Sequence, residues 1–382
     1  MAKKIPFNKP IIIGEELDYI AQSVNSGKIS GNGLFTKKCH RKFEEKYGFK
    51  KCLMTTSCTD ALEMAAILCN IQPGDEIIAP SYTFVSTVNA FILRGANVVF
   101  CDSRTDHPGM DEDLIESLIT EKTKAIVPVH YAGVACDMHK IMDIAKKHNL
   151  FVIEDAAQAV DSYYIFENNR LPLGSLGHLA AFSFHETKNI IAGEGGMLVI
   201  NDERFLERAE IIWEKGTNRS AFFNGEVDKY GWMDIGSSFL PSDIIASFLY
   251  AQLEKIELIQ KKRLSIWRNY ASQLELLGSE GFIQLPKIPI YASNNANMFY
   301  IICKSNNARD GLLEYLKNMN IHAVFHYMCL HKSEYYLRNN DNIHLPNSDI
   351  YEKRLVRLPF YFELSVDDQI YITNAVKSFF KN

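Results

Sequence analysis

The sequence predicts an α/β protein in which helices cover both faces of a mainly parallel sheet. From residue 51 onward, short apolar runs rich in Val and Ile alternate with helical segments. Strands that are apolar on both faces are typical of a parallel sheet buried between helices. The chain has 382 residues, 47% of them hydrophobic, which is enough for a sizeable core and more than one domain.

The elements follow one another in a regular order. Two helices come first, at 14–26 and 36–47, and the loop between them contains three glycines. Gly48 ends the second helix, and Ser57 is a natural N-cap for the helix that follows the first strand. The alternating segments comprise strands at 51–55, 76–79, 97–101, 124–129 and 150–154, and helices at 57–70, 83–93, 111–119 and 137–148.

The pattern changes after residue 240. Residues 243–270 predict one long helix, and strands are expected near 298–303 and 323–325. The sequence therefore predicts a large domain over 1–240, a linking helix over 241–270 and a small α/β domain over 271–382.

Composition excludes several classes of protein. Charged residues make up 23% of the chain and its net charge is -5, without a long basic block, so we expect no nucleic-acid partner. No apolar run reaches the ~18 residues that span a bilayer, and the start lacks the apolar stretch of a signal peptide. The eight cysteines form no CxxC pair, which favours free thiols in the cytosol over disulfides or a metal site.

Polar residues follow the ends of the predicted strands, where parallel sheets bind their ligands. Residues 56–60 (TSCTD) open a helix after the first strand, and N–H groups with a hydroxyl at a helix N-terminus can hold a phosphate. The alternative is a capped helix without a ligand. After the second strand, Phe84 could stack on a flat ring or pack in the core. After the strand at 150–154, Asp155 could bind the protonated ring nitrogen of pyridoxal phosphate (PLP) or cap a helix.

Lys188 lies between two apolar β-prone runs, 181–184 and 196–200, in a polar, glycine-rich bend. A lysine at such a position can be partly desolvated, which lowers its pKa and frees the neutral amine for Schiff-base chemistry. The alternative is a solvated lysine in a hairpin loop. Taken together, the strand ends supply a phosphate cradle, a stacking aromatic ring, an acid and an amine, which is the set that PLP requires.

Five motifs identify a resemblance over nearly the whole chain. The sequence resembles the DegT-type sugar-nucleotide aminotransferases, which have the aspartate-aminotransferase fold, called fold type I, with a smaller C-terminal α/β domain. The motifs are SCT at 57–59, PSYTFVST at 80–87, PVHYAG at 128–133, EDAAQ at 154–158 and SFHETKN at 183–189.

The resemblance implies a role for each matching residue. Lys188 would bond covalently to PLP, and Asp155 would pair with the pyridine nitrogen. Gln158 would lie near the phenolic oxygen of the ring, and Phe84 would stack on the ring. The phosphate would be held by the Cys58 backbone, Thr59 and Ser183, and the sugar nucleotide would lie near His326, Tyr327 and His331.

The resemblance also implies a homodimer with shared sites. Many family members carry Gly-Tyr-Asn in a segment that reaches the phosphate of the neighbouring subunit. Here the aligned residues are Gly236-Ser237-Ser238, so Ser238 would make that contact with its hydroxyl.

The residues around Lys188, with 214–220 and 234–238, are most similar to members that aminate dTDP-4-keto-6-deoxyglucose. Those members use L-glutamate as donor and make dTDP-4-amino-4,6-dideoxygalactose for cell-surface polysaccharides. Three alternatives remain: amination at C3 of a 3-keto sugar, a dehydrase, and a catalytically silent sugar-nucleotide-binding protein. The family's dehydrase has His in place of the lysine, so Lys188 argues against it. Lys188, Asp155 and Thr59 together argue against a silent protein.

Overall fold

The computed structural model describes residues 4–381 and contains three sheets. The strands are β1 (Lys51–Thr55), β2 (Glu76–Pro80), β3 (Asn97–Cys101), β4 (Thr123–Ile126), β5 (Phe151–Asp155), β6 (Tyr163–Phe166), β7 (Asn169–Pro172), β8 (Leu179–Ser183), β9 (Gly196–Ile200), β10 (Ile283–Gln284), β11 (Tyr300–Cys303) and β12 (Leu355–Arg357).

The α-helices lie before, between and after these strands. They are α1 (Glu16–Asn25), α2 (Leu34–Tyr47), α3 (Cys58–Leu68), α4 (Ser86–Ile92), α5 (Glu112–Ile115), α6 (Met138–His148), α7 (Leu206–Trp213), α8 (Arg219–Phe223), α9 (Asp243–Glu254), α10 (Ile256–Ser279), α11 (Asn306–Asn318), α12 (Glu334–Leu337), α13 (Pro346–Arg354) and α14 (Val366–Lys381). Within residues 4–381, no helix has the length and apolar character needed to cross a bilayer.

The seven-stranded sheet has the order β1-β9-β8-β5-β4-β2-β3. The pairs β5·β8, β4·β5, β2·β4 and β2·β3 are parallel, whereas β9 runs antiparallel to both of its neighbours. The mainly parallel sheet is therefore confirmed. Its one reversed strand is the returning arm of the bend that carries Lys188.

Helices cover both faces of this sheet, as predicted. Successive side chains of a strand point to opposite faces. Thus Met54 and Phe182 pack in one apolar cluster with helices α2, α6 and α9, whereas Leu53 and Ala181 pack in the other with α3, α4 and α7. Both clusters consist of fully buried side chains, so the strand ends at the sheet edge are held rigidly.

The C-terminal part differs from the prediction in one respect. The single helix expected over 243–270 is two helices, α9 and α10, that break at Lys255, where φ is -106° and ψ is 13°. These dihedral angles interrupt the helical path, and α10 then continues to Ser279, beyond the predicted end. The division into domains at 240 and 270 stays a prediction.

A separate three-stranded sheet, β10-β11-β12, lies in this C-terminal part and packs against α10, α11 and α14. The strand expected at 323–325 is only an isolated bridge between Val324 and Arg357. Helix α4 begins at Ser86, three residues after the predicted start, because residues 81–85 form an irregular turn at the sheet edge. The hairpin β6–β7 was not predicted.

Candidate active site

A cavity of about 580 Å³ opens at the carboxyl ends of β1, β2, β5 and β8. Nine of the eleven side chains predicted for the site line it. They are Cys58, Thr59, Phe84, Asp155, Gln158, Ser183, Lys188, His326 and Tyr327. The remaining two, Ser238 and His331, do not line the cavity.

Lys188 sits in the bend between β8 and β9. The Phe184 N–H donates to the Gly195 carbonyl (2.8 Å) and the Ala192 N–H to the Phe184 carbonyl (2.7 Å), which prolongs the strand pairing beyond β8 and β9. The Lys188 N–H donates to the His185 carbonyl over 2.9 Å. The bend is thus fixed by its own backbone, and Lys188 projects into the cavity.

The next residue anchors the bend to the rest of the protein. Asn189 donates to Gln260 Oε1 (2.9 Å) on α10 and to the Asn295 carbonyl (2.8 Å), and its own Oδ1 accepts from Asn297 (2.9 Å). All four side chains are buried, so these amide hydrogen bonds form in an environment where an unpaired polar group would be costly. The position of Lys188 therefore depends on α10 and on the segment before β11.

The electrostatic setting of Lys188 matches the sequence prediction. Burial lowers the pKa of its ammonium, the carboxylate of Asp155 opposes that shift, and the charge of Arg357 adds to it. The solvated-lysine alternative is therefore not supported. A lowered pKa makes the neutral, nucleophilic amine available at lower pH.

Asp155 ends β5 and is held by two hydrogen bonds. Thr87 on α4 donates to Oδ2 (2.7 Å), and the Ala157 N–H donates to Oδ1 (3.1 Å). Burial raises the pKa of this carboxyl group despite these donors and nearby Lys188. A cation placed beside Asp155 would favour the carboxylate, and a protonated pyridine nitrogen is such a cation.

Gln158 is fixed in one orientation. The Ala132 N–H donates to its Oε1 over 2.6 Å, and its Nε2 donates to the Tyr327 hydroxyl over 3.2 Å. Ala132 has a positive φ of 58°, an uncommon conformation for a residue with a side chain. The turn at 131–133 therefore has a strained backbone, and this conformation directs the Ala132 N–H group at Gln158.

The anion site predicted from the sequence lies at the start of α3. Ser57 caps the helix by accepting from the Asp60 N–H (3.1 Å), and the Thr59 hydroxyl donates to Ser86 Oγ (2.8 Å). A Cβ on Gly196 would lie 2.3 Å from the Ser57 carbonyl oxygen, so only glycine allows β9 to approach this turn so closely. Ser183 lines the cavity nearby on β8. Free N–H groups at the helix start suit a phosphate.

Two aromatic side chains border the cavity. Phe84 remains 57% exposed although it lines the cavity, so the core-packing alternative is not supported. Its ring centroid lies 6.2 Å from that of Tyr327. One face of Phe84 is thus available for a flat ligand ring. Together with Asp155, Gln158 and the start of α3, this set fits PLP.

Arg357, which none of the sequence motifs indicated, enters the same cavity from β12. Its Nη1 lies 2.9 Å and 3.1 Å from the two ring nitrogens of His326. Burial, assisted by this guanidinium, lowers the pKa of His326 to about 2, so the imidazole is neutral and can accept. An arginine within the apolar run 355–360 is an unusual pattern, and it could have marked the residue.

Thr87 was also missed as an individual residue, although it lies within one of the five motifs. Thr87 and Asp155 are 68 residues apart in sequence, so no local signal links the hydroxyl to the acid. The partner of Thr87 comes from another strand.

His331 requires a correction. Its side chain is fully buried, with Nδ1 2.7 Å from Ser81 Oγ, and its backbone N–H also donates to Ser81 Oγ (3.1 Å). The short helical turn at 330–332 directs the imidazole beneath the strand end and away from the cavity. The structure therefore does not support the substrate-binding role predicted for His331.

A group of potential metal ligands surrounds His331. One atom each of Cys329, His331 and Asp349 lies within 4.8 Å of the others. The Lys332 ammonium pairs with Asp349 and, at 2.9 Å, with Glu352. This group therefore already contains a cation, and it lies apart from the cavity that Lys188 lines.

Ser238 lies on an exposed part of the surface. Its backbone pairs with that of Glu214 in an antiparallel bridge, and its side chain does not reach the cavity of its own chain. It can therefore contact a cofactor only in another subunit, which remains a prediction.

Comparisons with known proteins agree with this geometry. Residues 10–377 match the model of the DegT/DnrJ/EryC1/StrS aminotransferase family. The spore coat polysaccharide biosynthesis protein SpsC of Bacillus subtilis is 31% identical, and the match covers 99% of this chain and 97% of SpsC.

Solved structures show the same fold. The PLP form of Spr1654 from Streptococcus pneumoniae, assigned as a sugar aminotransferase, superposes with a TM-score of 0.90 at 25% identity, covering 99% of both chains. DesV from S. venezuelae, solved in complex with a ketimine intermediate, has a TM-score of 0.89 at 26% identity and also covers 99% of both chains.

Proposed function

The chain belongs to the DegT/DnrJ/EryC1/StrS aminotransferase family, and from this premise we propose that it transfers the amino group of L-glutamate to C4 of dTDP-4-keto-6-deoxyglucose. The products are 2-oxoglutarate and dTDP-4-amino-4,6-dideoxygalactose. As a family member the chain is a PLP-dependent sugar aminotransferase. The donor, the nucleotide and the position of the new amine are the parts that we propose.

One observation carries the reaction type. Lys188 faces the cavity from the bend between β8 and β9, and Asp155 and Gln158 face it from the end of β5 and the turn that follows, together with the predicted anion site at the start of α3. An amine, a buried acid, a fixed amide and a phosphate site in one cavity are what PLP chemistry requires.

We assign the cofactor contacts accordingly. Thr59, Ser183 and the backbone at Cys58 would hold the phosphate of PLP, and Phe84 would cover its ring. Gln158, held by Ala132 and Tyr327, would place its amide near the phenolic oxygen. When bound, PLP supplies an electron sink for the charge that develops on a carbon losing its proton.

The protein then has two tasks during transfer. The neutral amine of Lys188 would remove the proton from Cα of the donor and would deliver a proton to the sugar carbon that gains the amine. Asp155 keeps the ring nitrogen protonated, and Thr87 holds Asp155 in register. The lowered pKa of Lys188 favours the neutral amine that must accept the proton.

The sugar nucleotide is assigned from different observations. His326 and Tyr327 line the cavity on the side of the C-terminal sheet, where they would contact the sugar. The motifs around residues 183–189, 214–220 and 234–238 resemble members that act on dTDP-4-keto-6-deoxyglucose. The name of SpsC links one relative to polysaccharide biosynthesis, and we propose that this chain serves cell-surface polysaccharide such as lipopolysaccharide.

We also propose a homodimer with shared sites in the cytoplasm. The segment 222–235 exposes several large apolar side chains, with Phe223 68%, Met233 61% and Trp232 83% exposed. Apolar groups exposed together favour a protein interface, and Ser238 follows directly in the chain. The eight free cysteines favour a reducing compartment.

Identification of the reaction product tests the proposal. The holoenzyme is incubated with dTDP-4-keto-6-deoxyglucose and L-glutamate, and the product is identified by NMR, with the Lys188→Ala variant as control. An axial amine at C4 is expected. An equatorial amine, an amine at C3 of a 3-keto substrate, or activity with the UDP-linked sugar only would each contradict the assigned substrate.

A further inference from the structure

Arg357 is the last residue of β12, and its side chain enters the cavity that Lys188 lines. The strand is held on both sides. The Arg357 N–H donates to the Val324 carbonyl (2.7 Å), and Tyr300 on β11 is its register partner. The residue is only 8% exposed, so its guanidinium group is largely removed from water.

This buried cation has no counter-ion. Among residues 4–381, no Asp or Glu forms an ion pair with Arg357, and its Nε has no hydrogen-bond partner. Its neighbours are instead the neutral ring of His326 and the face of Phe7, whose centroid lies 4.8 Å from the guanidinium carbon. A buried charge without a partner is costly, so the arrangement indicates an anion that arrives with a ligand.

One side of the guanidinium has no hydrogen-bond partner. His326 engages Nη1, and the ring of Phe7 supports the planar group from its face, whereas Nε is unpaired. A planar guanidinium held in place can bind the two oxygens of a carboxylate. Phe7 and His326 thus hold the planar group at the wall of the cavity, where a ligand can meet it.

Three anions enter the proposed reaction: the cofactor phosphate, the nucleotide diphosphate and the carboxylate of the amino donor. The phosphate has its own site at the start of α3. The diphosphate is separated from the reacting carbon by the sugar ring, whereas the donor's α-carboxylate is bonded directly to it. The charge of Arg357 is close enough to Lys188 to lower the pKa of that amine.

We propose that Arg357 binds the α-carboxylate of the amino donor and thereby selects an α-amino acid for the first half of the reaction. This assignment rests on the proposed transamination. The same arginine contributes little to the second half, in which the keto sugar replaces the amino acid.

The test compares the two half-reactions in the Arg357→Gln variant. Donor conversion is followed in a single turnover by the cofactor's absorbance, with L-glutamate, L-glutamine and L-isoglutamine. Glutamine has an amide in place of the distal carboxylate, and isoglutamine has an amide in place of the α-carboxylate. We expect Arg357→Gln to slow the conversion of glutamate and of glutamine by about tenfold to a hundredfold, as for the loss of a hydrogen bond to a charged group. The rate of isoglutamine conversion should change by less than about threefold, because isoglutamine has no α-carboxylate for Arg357 to bind.

A binding measurement accompanies the kinetics. Glutarate has no amine and cannot react, so its binding to the holoenzyme can be measured by calorimetry. Its dissociation constant should increase by about tenfold or more in Arg357→Gln. Arg357→Lys keeps the positive charge but lacks the planar guanidinium, so its affinity for glutarate should lie between those of the wild type and Arg357→Gln. Arg309→Gln removes a positive charge from α11, outside the cavity, and should leave both values unchanged.

Several results would overturn the assignment. A loss with glutamate and isoglutamine but not with glutamine would place the distal carboxylate on Arg357, and a loss confined to the keto-sugar half would place the diphosphate there. Unchanged donor kinetics in a correctly loaded variant would remove the role altogether. If the wild-type protein itself accepts no amino acid, the proposed function fails instead, so the two failures are distinguishable.

Discussion

Thr87 on α4 donates its hydroxyl to Oδ2 of Asp155 at the end of β5 over 2.7 Å. The Thr83 hydroxyl lies 2.8 Å from that of Thr87, so a short chain of hydroxyl groups leads to the acid. Asp155 is buried, and each donor that orients it contributes to the position of the charge on which the cofactor's ring nitrogen depends.

Thr87→Val should keep the shape of this side chain and remove the hydrogen bond. The loss of one bond to a buried charge corresponds to about 1.5–3 kcal/mol. We expect both half-reactions to slow by roughly tenfold or more, with PLP still bound. Single-turnover absorbance changes measure this effect. Thr87→Ser retains the hydroxyl and should restore most of the rate, which a purely steric role would not predict.

Asp155→Asn removes the charge that would face the ring nitrogen. PLP should remain bound through its phosphate contacts, whereas both half-reactions should slow by about 10²-fold or more, as for the loss of a major electrostatic contribution. The pH titration of the cofactor's absorbance should shift as well. A rate within threefold of the wild type would refute the role of Asp155.

Lys188→Ala should abolish the visible absorbance of the protein-bound cofactor together with turnover, because no other lysine lines the cavity within residues 4–381. Spectra of the purified protein and a turnover assay measure both. Lys140→Ala on α6 removes an exposed lysine far from the cavity and serves as the matched control. An alanine variant at 188 with wild-type turnover would contradict the assignment.

Capture of PLP by the apo-protein should depend on pH in a defined direction. Burial, with the charge of Arg357, lowers the pKa of Lys188, so its neutral fraction reaches a plateau at a lower pH than that of an ordinary lysine. The capture rate is measured from about pH 6 to about pH 10, relative to Nα-acetyl-lysine, which corrects for titration of PLP itself. A ratio of the two capture rates that does not change with pH would show that the pKa of Lys188 is that of an ordinary lysine.

Ser238→Ala should weaken PLP affinity by about one to two decades if the hydroxyl bonds to the phosphate in a partner subunit. Mixing two inactive variants, Lys188→Ala and Ser238→Trp, tests the sharing directly. In a hybrid C₂ dimer one site collects both defects and the other collects neither, so part of the activity should return. Verified subunit exchange without regained activity, or an active monomer, would exclude shared sites.

Most of the helices and strands, and the side of the sheet at which the cavity lies, can be predicted from the amino-acid sequence alone. Alternating apolar runs reflect local periodicity, and the polar residues after each strand identify its carboxyl end, so Asp155 and Lys188 could be placed without a structure. The motifs then determined the family and the cofactor, because each one combines several residues whose chemistry depends on the others.

Which distant segments complete the cavity depends on contacts that form only in the folded chain. Arg357 and Phe7 meet there from opposite ends of the chain, and the buried position of His331 follows from its packing beneath Ser81. The break of the long helix at Lys255 likewise leaves no local signal. Sequence patterns report the environment of neighbouring residues, whereas the partners of a buried charge or amide come from contacts between elements far apart in the chain.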